Sequence, residues 1–169
     1  MLLVVKNLLF LLTLPAAFLY WLPLRMLETR TVWPGVLNWN HALALLLGAN
    51  ALTAYLHCHW LLMRKGRGTP FLLAPPERLV QRGLYRWVRN PMYLATLAIV
   101  AAEALFLRSA ALALYGIFLA CVLQLTVRLH EEGDLGFRFG AMYEDYKRAV
   151  PRWIPRPPQP QPIESSTRE

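Results

Sequence analysis

The residues best able to do chemistry sit in two clusters beside apolar runs. His130-Glu131-Glu132 follows one run, and Arg86-Trp87-Val88-Arg89-Asn90-Pro91-Met92-Tyr93 leads into another. Paired carboxylates at the end of a helix stand where the backbone dipole favours cations. Glu131 and Glu132 therefore require a positive partner, either Arg128 nearby or a cationic ligand. Proline at the first helical position sacrifices no hydrogen bond, so Pro91 marks a helix start. The free N–H groups of Met92 and Tyr93 there can receive a carboxylate or phosphate. Arg86 and Arg89 lie just upstream and either strengthen that anion site or touch lipid headgroups. Gly66 and Gly68, in Arg64-Lys65-Gly66-Arg67-Gly68-Thr69-Pro70, permit close backbone approach. Their spacing is no dinucleotide or phosphate fingerprint, and no strand pattern precedes them.

Other polar residues carry less. His57-Cys58-His59 has the right atoms for a metal, but neighbours one and two apart do not share a helical face. No second ligand set at zinc-site spacing accompanies them, so no metal is expected. Asn50, Thr53 and His57 fall on one face, as residues bonding between helices would. Glu103 is expected to reach a membrane interface beside Arg108. Trp21, Trp33, Trp60 and Trp87 suit interfacial belts.

The elements that must position these groups follow from composition. The chain has 169 residues, 56% hydrophobic and only 17% charged, with net charge +8. Soluble domains average ~45–50% apolar and ~25% charged, so a disordered chain and an ordinary soluble globule are both excluded. Cys58 and Cys121 are the only cysteines and both lie in apolar runs, which excludes a disulfide scaffold. A span needs roughly 20 apolar residues, ~17 at the least. Four stretches qualify, at about 8–24, 42–63, 91–107 and 110–127. The first resembles a signal peptide, with Lys6 as basic region and Pro15-Ala16-Ala17 near a cleavage site, but apolar residues continue through Tyr20-Trp21 and favour a retained span. Only Arg108 and Ser109 separate the last two, which predicts a tight hairpin. Fifteen of the 18 basic residues then fall on one face: Lys6, seven between Arg64 and Arg89, and seven from Arg128 onward. That face is expected to be cytoplasmic, with both termini, in a plasma (inner) membrane. The positive charge follows from topology and anionic headgroups rather than nucleic acid. The expected fold is an all-α integral membrane helical bundle of about four transmembrane helices, one domain over 1–155. Cytoplasmic segments occupy 64–90 and 128–155, a short fifth helix lies between Leu135 and Ala149, and the tail 156–169 is expected to be disordered.

Three blocks on that face resemble a known group. They are Gly66-Arg67-Gly68-Thr69-Pro70; Leu79-Val80-x-x-Gly83-Leu84-Tyr85-Arg86-x-x-Arg89-Asn90-Pro91-Met92-Tyr93; and Glu131-Glu132-x-x-Leu135, Phe139-Gly140, Tyr143, Tyr146, Val150-Pro151. In this order they are similar to the isoprenylcysteine carboxyl methyltransferase and phospholipid methyltransferase superfamily of membrane enzymes. The resemblance spans roughly 64–155 and implies an S-adenosylmethionine-dependent methyltransferase acting on a small lipophilic or lipid acceptor. It implies that short cytoplasmic helices form the cofactor pocket, with Glu77, Leu79, Val80, Tyr85, Asn90 and Glu131 in it; Arg89, Pro91 and Glu132 join them from the anion and cation sites read above. Asn90, Tyr93 and Arg128 become candidates for catalysis, and His130, Tyr93 and Glu132 for a base. Asn90 stands where prenylcysteine enzymes have histidine. Val127 stands where they have the arginine that reaches the substrate carboxylate. Phospholipid N-methylation and a membrane adaptor without turnover are the alternatives.

Overall fold

A computed structural model describes Leu19, residues 38–66 and residues 77–158. The expected first span and most of the Gly66–Pro70 block lie outside the described residues, as does most of the tail. Among the described residues every regular element is helical: α1 (Trp39–Leu61), α2 (Pro91–Leu107), α3 (Ala110–Thr126), α4 (Glu132–Phe139) and α5 (Ala141–Ala149). Two continuous helices are long and apolar enough to cross a membrane, Trp39–Gly66 and Ala110–Phe139. The shorter apolar helix α2 has 17 residues, about 25 Å at 1.5 Å per residue.

α2 packs chiefly on α1 and then on α3. In lipid, helices gain little by hiding apolar surface from their surroundings, and small residues that allow close approach carry association instead. α1 presents such a stripe at helical spacing, with Ala44, Ala51, Tyr55 and Cys58 buried. A Cβ at Gly48, on the same face, would sit 3.4 Å from Cβ of Ala102. On the other side, a Cβ at Gly116 would lie 3.3 Å from Val100. One core cluster joins Tyr55, Cys58 and Leu61 of α1 to Val80, Tyr85, Met92 and Ala95. A second joins Val100 to Tyr115 and Leu119.

The α2–α3 hairpin is as tight as its two linking residues require. Arg108 takes the left-handed conformation (φ 50°) that ends α2. Ser109 then caps α3, its Oγ accepting from the Leu112 N–H at 3.3 Å.

Several expectations need correction. The helix carrying Glu131 and Glu132 does not end there. A wide turn over Val127–Glu131, in which the Glu132 N–H reaches the Val127 carbonyl, carries α3 into α4. The charged pair therefore lies inside a continuous helix, and a C-terminal dipole is not what the carboxylates answer to. The fifth helix is instead two, divided at Gly140, whose φ of 52° and ψ of −129° suit glycine alone. Among the described residues, Asn50 and Thr53 do not bond between helices. Each donates one turn back within α1, to Leu46 and Ala49, as short polar side chains do when a carbonyl is in reach. On α2, the Glu103 Oε2 is buried without a partner among the described residues.

Candidate active site

The segment between α1 and α2 is folded back on itself at both ends. The Gly66 carbonyl accepts the N–H groups of Glu77 (2.8 Å) and Arg78 (3.3 Å), pinning the segment to the end of α1. A short 3-10 turn, Gly83–Arg86, then buries Tyr85. Gly83 opens that turn at φ 58°, and a Cβ there would stand 2.8 Å from Leu61 Cδ1 and 2.9 Å from His57 Nε2. Only glycine meets both demands. Asn90 caps α2 by backbone, its carbonyl accepting the Leu94 N–H, with Pro91 in the first turn.

The C-terminal segment closes on this one. α5 buries Tyr143 and Tyr146 with Val150, against Leu79, Leu135 and Phe139. Tyr146 Oη donates to the Tyr85 carbonyl at 2.7 Å. Beyond α5 the chain runs as a strap: the Arg89 N–H donates to the Pro151 carbonyl (2.8 Å) and the Arg156 N–H to the Trp87 carbonyl (2.9 Å). Asn90 Nδ2 donates to the Arg152 carbonyl at 3.2 Å, and the Trp153 indole N–H donates to Gln124 of α3.

Between these elements lies a cavity of about 850 Å³, within the ~300–1,000 Å³ usual for ligand sites. Leu79, Val80, Tyr85, Arg89, Asn90, Pro91, Tyr93 and Glu131, all expected at the site, line it. Glu77, Arg128 and Glu132 do not. Glu77 and Arg128 are exposed. Glu132 is engaged elsewhere: its Oε1 accepts from Arg152 Nε at 2.7 Å and Arg89 Nη1 at 2.9 Å, and its Oε2 from Arg152 Nη2 at 2.7 Å. The cation that answers the acidic pair is thus not Arg128 but Arg89 with Arg152. His130, a candidate base, lines the cavity too, as do Tyr146, Asp134 and Arg138, which were not assigned to it from sequence. Tyr146 belonged to the third block, which was the available signal. Arg152 had none, because its partner lies 20 residues away across a turn.

The two carboxylates are held in opposite states of ease. Burial raises the Glu131 carboxyl above its ordinary range; the Tyr93 hydroxyl, which hydrogen-bonds its Oε1, opposes this, and Glu132 adds to it. Burial pushes Glu132 up as well, but Arg152 and Arg89 outweigh it and hold that carboxyl below its usual value. Burial, with Cys58 and Tyr146 nearby, keeps the Tyr85 phenol neutral. Arg89 uses one guanidinium nitrogen, Nη1, on Glu132 and, at 3.5 Å, on Tyr143. Its Nε is buried with no partner among the described residues. A cavity wall that holds both a guanidinium, Arg89, and a carboxylate, Glu131, suits a ligand that carries both charges.

No curated protein and no solved structure matches the chain. A family does: the phospholipid methyltransferase model matches residues 39–141, from the first turn of α1 to the start of α5. That match covers more than half of the sequence and contains the α1–α2 segment, the hairpin and the Glu131–Glu132 helix. The chain belongs to the phospholipid methyltransferase family, a family of membrane methyltransferases.

Proposed function

We propose that this protein is an S-adenosylmethionine-dependent methyltransferase whose acceptor is a small lipophilic molecule at the cytoplasmic face of the membrane. The observation that carries the reading is that Arg89, Tyr93 and Glu131, from separate sequence blocks, line one cavity. The residues fit the cofactor. Arg89, on the cavity wall, would hold the carboxylate, and Glu131, oriented by Tyr93, the ammonium or the ribose hydroxyls. Leu79, Val80, Tyr85 and Tyr146 supply apolar wall. S-adenosylmethionine, when bound, supplies an electrophilic methyl group for direct displacement by the acceptor.

The chain's own contribution is positioning, which accounts for much of the rate in such reactions. Thr126 and Leu129, just past the apolar part of α3, line the same cavity. They supply a route from the bilayer, so a lipophilic acceptor and a water-soluble cofactor meet at the boundary. An amine acceptor must shed a proton. Glu132 is tied to two arginines and Tyr93 to Glu131, which leaves His130, on the cavity wall, to take it. Val127 in place of a carboxylate-binding arginine, together with the family match, favours a phospholipid amine over a prenylcysteine carboxylate. A four-span topology with both termini cytoplasmic accords with the basic charge on this face.

Titration of S-adenosylmethionine into detergent-purified protein tests the reading. Saturable binding to wild type, lost in Glu131→Ala with the fold intact, is expected. No binding to folded wild type would overturn the enzyme reading in favour of a membrane adaptor.

A further inference from the structure

We infer that Glu132, although adjacent to the cavity carboxylate, contacts no ligand and is a positioning residue: it holds Arg89 in the cavity wall and fastens the C-terminal strap behind it. Leu129, His130, Glu131, Gly133, Asp134 and Leu135 of this helix line the cavity, and Glu132 among them does not. Its carboxylate is already committed, with Oε1 shared by Arg152 and Arg89 and Oε2 taken by Arg152. The Arg152 contact is the bidentate fork in which guanidinium and carboxylate fix each other's plane. The Arg89 contact uses Nη1 and leaves Nε unmet.

One carboxylate between two guanidinium groups leaves a unit of positive charge uncancelled. Arg89 brings that charge to the cavity, since it lines the wall while Glu132 and Arg152 stand outside it. The same node ties down the strap, whose backbone already pairs with Trp87, Arg89 and Asn90. Without Glu132, Arg89 and Arg152 repel each other and the Arg89 side chain loses its fixed rotamer. The consequence is weaker grip on an anionic group in the cavity, with no lost contact to a cationic one. This rests on the cofactor reading above.

Calorimetric titration in detergent decides it, using S-adenosylmethionine and its decarboxylated analogue, which keeps the ammonium and sulfonium but lacks the carboxylate. Glu132→Gln and Arg152→Gln are each expected to weaken S-adenosylmethionine about tenfold, the size of a lost charge-assisted hydrogen bond. The double variant should be no weaker than Glu132→Gln alone, and all three should bind the decarboxylated analogue as wild type does. The inference is overturned if Arg152→Gln binds S-adenosylmethionine normally, if the two losses add, or if Glu132→Gln loses the analogue equally. Melting temperatures monitor folding, and should Glu132→Gln not fold, Arg152→Gln with the two ligands carries the test alone. Wild type that binds neither ligand sinks the cofactor reading itself, a result distinct from variants that match a binding wild type.

Discussion

Tyr146→Phe removes one oxygen and leaves a ring of the same shape. Tyr146 is buried, and its hydroxyl donates at 2.7 Å to the carbonyl of Tyr85, 61 residues earlier. The ring keeps its packing against Tyr143 and Val150, so no void opens and the penalty is confined to the hydrogen bond. The Tyr85 carbonyl has no other partner among the described residues. A buried acceptor left unmet costs ~1–3 kcal/mol. At ~2–4 °C per kcal/mol for a chain of this size, a loss of about 2 kcal/mol lowers the melting temperature by about 4–8 °C. The molecule supplies its own reporter. Cys58 is fully buried in the same core cluster as Tyr85, whereas Cys121 is exposed. In a Cys121→Ser background, thiol labelling on heating reads the opening of that cluster. Because Tyr85 and Tyr146 both line the cavity, ligand affinity should fall along with stability. A Phe variant that labels at the parent's temperature, within about 1 °C, would refute the assignment of this bond as the link between α5 and the Tyr85 turn.

Gly83→Ala should destabilise by more than the ~1–2 kcal/mol of a left-handed backbone, because its Cβ also meets Leu61 and His57. Gly136→Ala is the control: it is helical with nothing nearer than 3.9 Å, and denaturant melts should show no loss. Ser109→Ala removes the cap of α3 and should cost ~0.5–2 kcal/mol in the same melts, without changing ligand affinity. Stability should also depend on pH in two limbs of opposite sign. The raised Glu131 carboxyl contributes stability fully present below the ordinary carboxylate value, ~4.3, and lost as pH rises through its higher folded value. The depressed Glu132 carboxyl contributes stability present above that value and lost as pH falls through its lower folded one. Melting temperature measured from about pH 8 to pH 3 should therefore rise and then fall. Glu131→Gln should flatten the first limb and Glu132→Gln the second; an unchanged acid limb in Glu132→Gln would show that its pairing with Arg152 and Arg89 does not matter in solution.

Where the sequence was legible, local chemistry decided the outcome. Pro91 at a first turn and the Arg108-Ser109 pair leave little freedom, and α2 and the hairpin stand where those residues put them. The cavity residues on the α1–α2 segment were legible through the blocks they form. The Glu131–Glu132 helix was misread because a charged pair after an apolar run looks like a helix end, and a widened turn leaves no mark in composition. Asn50 and Thr53 were misread because facial spacing alone does not say whether a partner helix or the same helix offers the nearer carbonyl. The Glu132–Arg152 fork and the Tyr146–Tyr85 bond join residues 20 and 61 apart, and pairings of that range are set by packing rather than by local pattern.

The widened turn at Val127–Glu131 gives the long helix two independent phases. Upstream, Leu112, Tyr115 and Leu119 fix how the shaft is rotated within the bundle; downstream, Glu131 and Glu132 must face different clients, Tyr93 on one side and Arg89 with Arg152 on the other. A uniform α-helix would let the first group dictate the second, since each residue advances the shaft by about 100°. The surplus residue in the turn acts as a clutch between them. Deleting one residue there would leave a helix of good hydrogen bonds and unchanged apolar faces whose two carboxylates are dialled to the wrong partners.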